Sequence, residues 1–234
     1  MTNLVSDISP IGIEALDSPT FDAALTRITL ADIARSNTVF GGRAAVAYGV
    51  KRLLRGEAAR GALSVLDVGA GSGDVLAYLT RRWRGVPIKP IAADWHREAV
   101  RLCAHRGLLA VTCDARHLPL ADGAVDIVVA SQLLHHFNRP AAQRLVRELD
   151  RVARLGVVIS DLQRARTAEL WFRVGSRLLG FHEVSRHDGV VSLRRGFTRG
   201  ELDALLRAAS AAATVRRRPG YRLVAYWRTA HAHG

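Results

Sequence analysis

Lysine is nearly missing from this 234-residue chain. Lys51 and Lys89 are the only two, so almost all of the 34 basic residues are arginines. Against 21 acids they leave a formal charge of +13. The arginines are spread along the whole chain and no single-faced patch is visible, which weighs against a nucleic-acid partner. Arg216-Arg-Arg218 reads as a solvated strand edge. Cysteine is scarce as well: Cys103 and Cys113 stand alone, without metal spacing, and read as small core residues in a reducing, cytoplasmic setting. No run approaches the roughly 18 apolar residues of a membrane span. Residues 1–10 carry an acid, Asp7, and no basic n-region, which argues against a secretory signal. No repeat or low-complexity tract occurs.

What is present is a folded chain, 49% apolar, of a length suited to one domain with an appended lid. Residues 20–56 read as two helices, with Asn37-Thr-Val-Phe-Gly-Gly42 as the turn between them and Gly56 as the stop of the second. From Leu63 strands and helices alternate. Strands are expected at 63–68, 88–93, 109–113, 125–130 and 155–160, and helices near 74–83, 95–106, 140–152 and 198–210. Two further strands, 214–218 and 222–227, are joined by Pro219-Gly220. The expected fold is α/β: a doubly wound, seven-stranded, mostly parallel sheet with a C-terminal antiparallel strand, N-terminal helices and a lid insertion. The expected division is an N-terminal helical cap, 1–60, and a main domain, 61–234. Residues 161–197 are too long for an ordinary connection and form the candidate lid, with an amphipathic segment followed by a polar loop, 185–195.

The most informative stretch is Val65-Leu-Asp-Val-Gly-Ala-Gly-Ser-Gly-Asp74. A buried strand runs into glycines at every second position, where a ligand can lie against bare backbone. A dinucleotide fingerprint needs its third glycine where Asp74 stands. Asp67 and Asp74 instead suit a ligand with an ammonium and a sulfonium. Further carboxylates follow at strand ends, Asp94 beside Trp95 and Asp114 beside Ala115. Then come Leu118-Pro-Leu-Ala-Asp-Gly-Ala-Val-Asp-Ile-Val-Val-Ala130 and Ser131-Gln-Leu-Leu-His-His-Phe137.

Residues 63–160 thus resemble the Rossmann-like class I S-adenosylmethionine (SAM) dependent methyltransferases. The resemblance implies SAM as cofactor, held by Asp67, Gly69, Ala70 and Gly71, with Asp94 on the ribose hydroxyls and Trp95 against the adenine. It puts Asp114 and Ala115 at the adenine edge, and Ser131, Gln132 and His136 at the methionine end. Arg43 would meet the cofactor's carboxylate. Asp126 reads as a structural cap at a strand start.

The acceptor rests on weaker signals. After the fourth strand there is no Asn/Asp-Pro-Pro-Tyr/Phe, and neither cysteine has the setting of a pyrimidine-methylating nucleophile. Leu-His-His-Phe is characteristic of the small-molecule branch. His135 and His136 are the candidate general bases, since imidazole titrates near neutrality; His182, His187 and Asp188 are rivals. The histidines are too scattered along the chain for a metal set, and none is expected. Residues 37–43 and 187–198 resemble bacterial methyltransferases encoded beside type III polyketide synthases, which implies a phenolic, polyketide- or quinone-like acceptor. Leu170, Trp171, Phe172, Leu178 and Phe181 could line an apolar pocket, and the lid and N-terminal helices could support a homodimer. Two alternatives stay open: an RNA methyltransferase using the arginines, and a non-catalytic SAM-binding partner protein.

Overall fold

The computed structural model describes residues 7–18, 21–55, 61–83 and 86–230. Gly56 and the expected domain boundary at 60 lie outside them. Seven strands form one sheet: β1 (Leu63–Val68), β2 (Ile88–Asp94), β3 (Leu109–Thr112), β4 (Val125–Ser131), β5 (Ala153–Leu162), β6 (Thr214–Arg218) and β7 (Arg222–Arg228). Their spatial order is β3-β2-β1-β4-β5-β7-β6. The pairings from β3 to β5 are parallel, and β7 runs antiparallel between β5 and β6.

Alternation along the strands feeds two cores. Leu66, Val68, Val128, Ala130, Val157, Ile159, Leu223 and Ala225 pack on one face, beneath α5 (Arg139–Val152) and α8 (Arg199–Ala208). Val65, Ile127, Val129, Val158 and Val224 pack on the other, beneath α2 (Gly42–Leu53), α3 (Asp74–Arg82) and α4 (Arg97–His105). A period of two on strands apolar on both sides is what a sheet covered by helices requires.

Three expectations change. α1 (Ala23–Val39) runs through Asn37, so the turn to α2 is only Phe40–Gly41. Gly41 takes φ +75°, and a Cβ on Gly42 would stand 2.3 Å from the Asn37 side chain. β5 continues to Leu162, which carries Asp161 on the sheet rather than in the lid. The lid is two helices, α6 (Arg166–Leu178) and α7 (Glu183–Arg195). Residues 185–195, expected as a polar loop, are therefore helical. Their inward positions include Ser185, Asp188 and Arg195, so no apolar period announces the helix.

Candidate functional site

Both glycines that open the loop after β1 adopt positive φ, +73° at Gly69 and +54° at Gly71. The loop is tied down by Gly69 N–H and Ala70 N–H, which donate to the Ala93 carbonyl at 2.8 and 3.1 Å. A Cβ on Gly69 would lie 3.0 Å from Leu133, and one on Gly71 3.3 Å from Leu30, so the loop is a cradle that side chains would fill. Beneath it Asp67 is 1% exposed, and its Oδ1 has no hydrogen-bond partner. Burial, then the nearby Asp74 and Asp94, push its pKa well above the usual carboxylate range. A bound cation would relieve that cost, so the pocket fits the ammonium end of SAM.

Asp94, at the tip of β2, accepts from Gly71 N–H at 2.8 Å and His96 N–H at 2.9 Å. Burial raises its pKa. It lines the cavity with Trp95, Asp114, Ala115, Ser131 and Gln132. Asp114 is already engaged: Arg116 Nε and Nη2 donate to it at 2.9 and 2.6 Å. Burial works against its charge, but Arg116 outweighs burial and lowers its pKa. Gln132 holds φ +55°, strained for a side-chain-bearing residue. Its amide donates to Asn37 at 2.6 Å.

Arg43 does not reach the cavity. Its Nε donates to Asp74 at 2.7 Å and its Nη2 to the Ala34 carbonyl at 2.9 Å. This corrects the expected contact with the cofactor's carboxylate: the guanidinium neutralises the first acid of α3 and ties α2 to it. The thiols are inert, as burial first and carboxylates second push Cys103 to about 12 and Cys113 to about 11.

At the end of β4 the chain enters a 3-10 turn, Leu134–His136. His135 Nδ1 lies 2.6 Å from Asp161 Oδ1, and His136 Nδ1 2.8 Å from Asp17 Oδ1. The rings stack with centroids 4.4 Å apart. Both Nε2 atoms face Glu14, at 3.7 Å for His135 and 3.9 Å for His136. Burial would lower the His136 pKa, but Glu14 and the Asp17 hydrogen bond outweigh it and raise it to about 9. That raised pKa disfavours His136 as the general base expected from an ordinary imidazole. The histidines are not scattered either: Glu14, His135 and His136 bring three ligand-type atoms within 4.8 Å of one another.

Residues that sequence reasoning missed complete this end. Glu14 and Asp17 come from an N-terminal strap pinned by Arg195, whose fully buried guanidinium bonds Asp17 at 2.7 Å and Glu14 at 3.1 Å. Ser192 Oγ donates to Glu14 at 2.6 Å. Arg222 is buried, with burial lowering its pKa to about 10, and its Nη1 has no partner. Only Asp161 carried a sequence signal, its place after the fifth strand.

One cavity of about 540 Å³ joins the two ends, from Asp67 and Asp94 to Glu14, His135 and His136. Its apolar wall includes Trp171, Phe172, Leu178 and Phe181; Leu170 does not line it. His182, His187 and Asp188, the rival bases, lie outside that lining. His182 caps α7, and Asp188 accepts from Ala15 N–H at 2.9 Å.

Residues 65–156 match the family model described as a methyltransferase domain. Over 90 residues the chain is 39% identical to trans-aconitate 2-methyltransferase of Mycobacterium tuberculosis, a stretch covering 38% of this chain and 33% of that protein. The chain spans a third or less of the length of the curated relatives it matches first. A solved SAM-dependent methyltransferase from Aquifex aeolicus superposes with TM-score 0.51 at 22% identity, covering 76% of this chain and 88% of that one. The plantazolicin methyltransferase BamL superposes with TM-score 0.58 at 15% identity, covering 88% and 98%. The fold is that of the SAM-dependent methyltransferases. Among the described residues no helix is long and apolar enough to cross a membrane.

Proposed function

We propose that this protein is a methyltransferase that binds SAM and transfers its methyl group to an oxygen, or an aromatic carbon, of a small apolar acceptor. The observation that carries the reading is one continuous cavity, with an unpartnered buried carboxylate at one end and a histidine–carboxylate cluster beside an apolar wall at the other. Bound SAM supplies a methyl carbon already activated by its sulfonium. Asp67 meets the ammonium and Asp94 the ribose diol, while Trp95, Asp114 and Ala115 frame the adenine. Gly69, Ala70 and Gly71 let the nucleoside approach the backbone, and Ser131, Gln132 and His136 close the methionine end.

His135 and His136 hold the acceptor's reacting atom, the first fixed by Asp161 and the second by Asp17. In-line positioning then supplies much of the rate. The aromatic wall of α6, with Trp171 and Phe172 lining the cavity, favours a phenolic, polyketide- or quinone-like acceptor. The unpaired thiols suit a reducing cytoplasm, and the lid helices α6 and α7 cover the cavity. The exposed apolar face of α6, Leu170, Trp171, Val174 and Leu178, serves acceptor access or a second copy of the chain.

Labelled SAM incubated with a panel of small phenols, polyketides and bulk RNA tests this directly. Label is expected in a phenol or polyketide. Label in RNA alone, favoured by the charge of +13, would replace the small-molecule reading. No heat on titrating SAM would end the methyltransferase reading.

A further inference from the structure

We infer that Glu14, His135 and His136 form a site for one divalent first-row transition-metal ion, placed to receive the acceptor's oxygen. The cation site stands on its own geometry; its role toward the acceptor rests on the methyltransferase reading.

The geometry is that of a ligand set. The two Nε2 atoms stand 3.7 and 3.9 Å from the oxygens of Glu14. That is too far for hydrogen bonds, yet it is about the 3 to 4 Å separation of donors that share an ion at ~2.1 Å each. His135 Nε2 is the decisive atom: its side chain is 1% exposed, and it has no partner while aimed at Glu14. An imidazole nitrogen left bare in a buried site is costly unless something binds it. Both Nδ1 atoms meet carboxylates, at 2.6 Å on Asp161 and 2.8 Å on Asp17. A carboxylate on one ring nitrogen fixes the tautomer and orientation of a metal-binding histidine, leaving the other for the ion. Three carboxylates, Glu14, Asp17 and Asp161, stand near two buried guanidiniums, Arg195 and Arg222.

Two imidazoles and one carboxylate, with no thiolate, suit iron, cobalt, manganese or zinc rather than calcium or magnesium. All three ligands line the cavity, so the remaining coordination positions face the acceptor. A hydroxyl oxygen bound there loses its proton to solvent more readily. The oxygen then forms its bond to the methyl carbon as the carbon–sulfur bond breaks, and the sulfur keeps the electron pair.

The test is titration of the chelator-treated full-length protein with Co²⁺, read by visible ligand-field absorption. One equivalent is expected to bind, and His135→Ala and Glu14→Gln, checked for cooperative unfolding, are each expected to weaken it at least ten-fold. Should either variant fail to fold, X-ray absorption on the wild-type cobalt complex counts the ligands, with two imidazoles expected. Absent stoichiometric binding, affinity indifferent to both substitutions, or fewer than two imidazoles would overturn the site. SAM calorimetry on the same wild-type sample reports separately on the methyltransferase reading.

Discussion

Asp67 illustrates how a single residue can be unfavourable to the fold and yet suit the proposed site. Its carboxylate is sealed from water, lacks a partner on one oxygen, and sits near two other acids. Replacing it with the isosteric neutral amide, Asp67→Asn, is expected to leave the unliganded protein at least as stable, because a poorly solvated acid is removed. The same change is expected to weaken SAM binding ten-fold or more, about 1.4 kcal/mol. Calorimetry and thermal unfolding of one preparation check both halves; an unchanged affinity would sink the ammonium assignment. This residue was legible in the sequence because its neighbours in the chain are its neighbours in space. Glu14 and Asp17 were not, since nothing near them in sequence hints at His136, 119 residues beyond Asp17. Arg43 shows the opposite failing: its position fitted a ligand contact, but Asp74 lay within reach and claimed it first.

Helices and strands divide along the same line. Strands β1 to β5 were legible because each is apolar on both faces, and the C-terminal pair because Pro219-Gly220 punctuates it. α7 escaped because its buried side is built from polar groups: Asp188 accepts from Ala15 N–H and Ser192 bonds Glu14. Gly189 also reads as a helix breaker. In the structure it is there for contact, since a Cβ would stand 2.1 Å from the Phe172 ring. Gly189→Ala is therefore expected to push α6 away from α7 at a cost of about 1 to 3 kcal/mol. Because α6 lines the cavity as the proposed acceptor wall, the Michaelis constant for the acceptor is expected to rise several-fold while SAM affinity holds. Equal losses on both ligands would mean the lid is not a separate acceptor-facing unit.

Across the whole molecule, one buried arginine joins the N-terminal strap to α7. Arg195 donates to the carbonyls of Ile11 and Gly12 at 2.8 and 2.7 Å and to the carboxylates of Glu14 and Asp17. Arg195→Met removes the guanidinium that bonds both Glu14 and Asp17 and leaves two acids in a dry site without it. Breaking such a pair costs about 3 to 5 kcal/mol, and urea unfolding is expected to show a loss of that size. A loss below about 1 kcal/mol would mean the strap is held chiefly by other contacts. The sheet itself is untouched by the change, so the unfolding slope is expected to stay constant.

The strap also fixes an order of events during synthesis. Asp17 leaves the ribosome early, yet Arg195, its buried partner, follows 178 residues later. The sheet's parallel strands can pair as they emerge, whereas residues 11–17 must wait until α7 exists. Such distant pairings are paid for in loop closure before they return anything. Among the described residues, the first to be made are thus among the last to settle, and Glu14 and Asp17 are pinned beside the histidines only after α7 has been made.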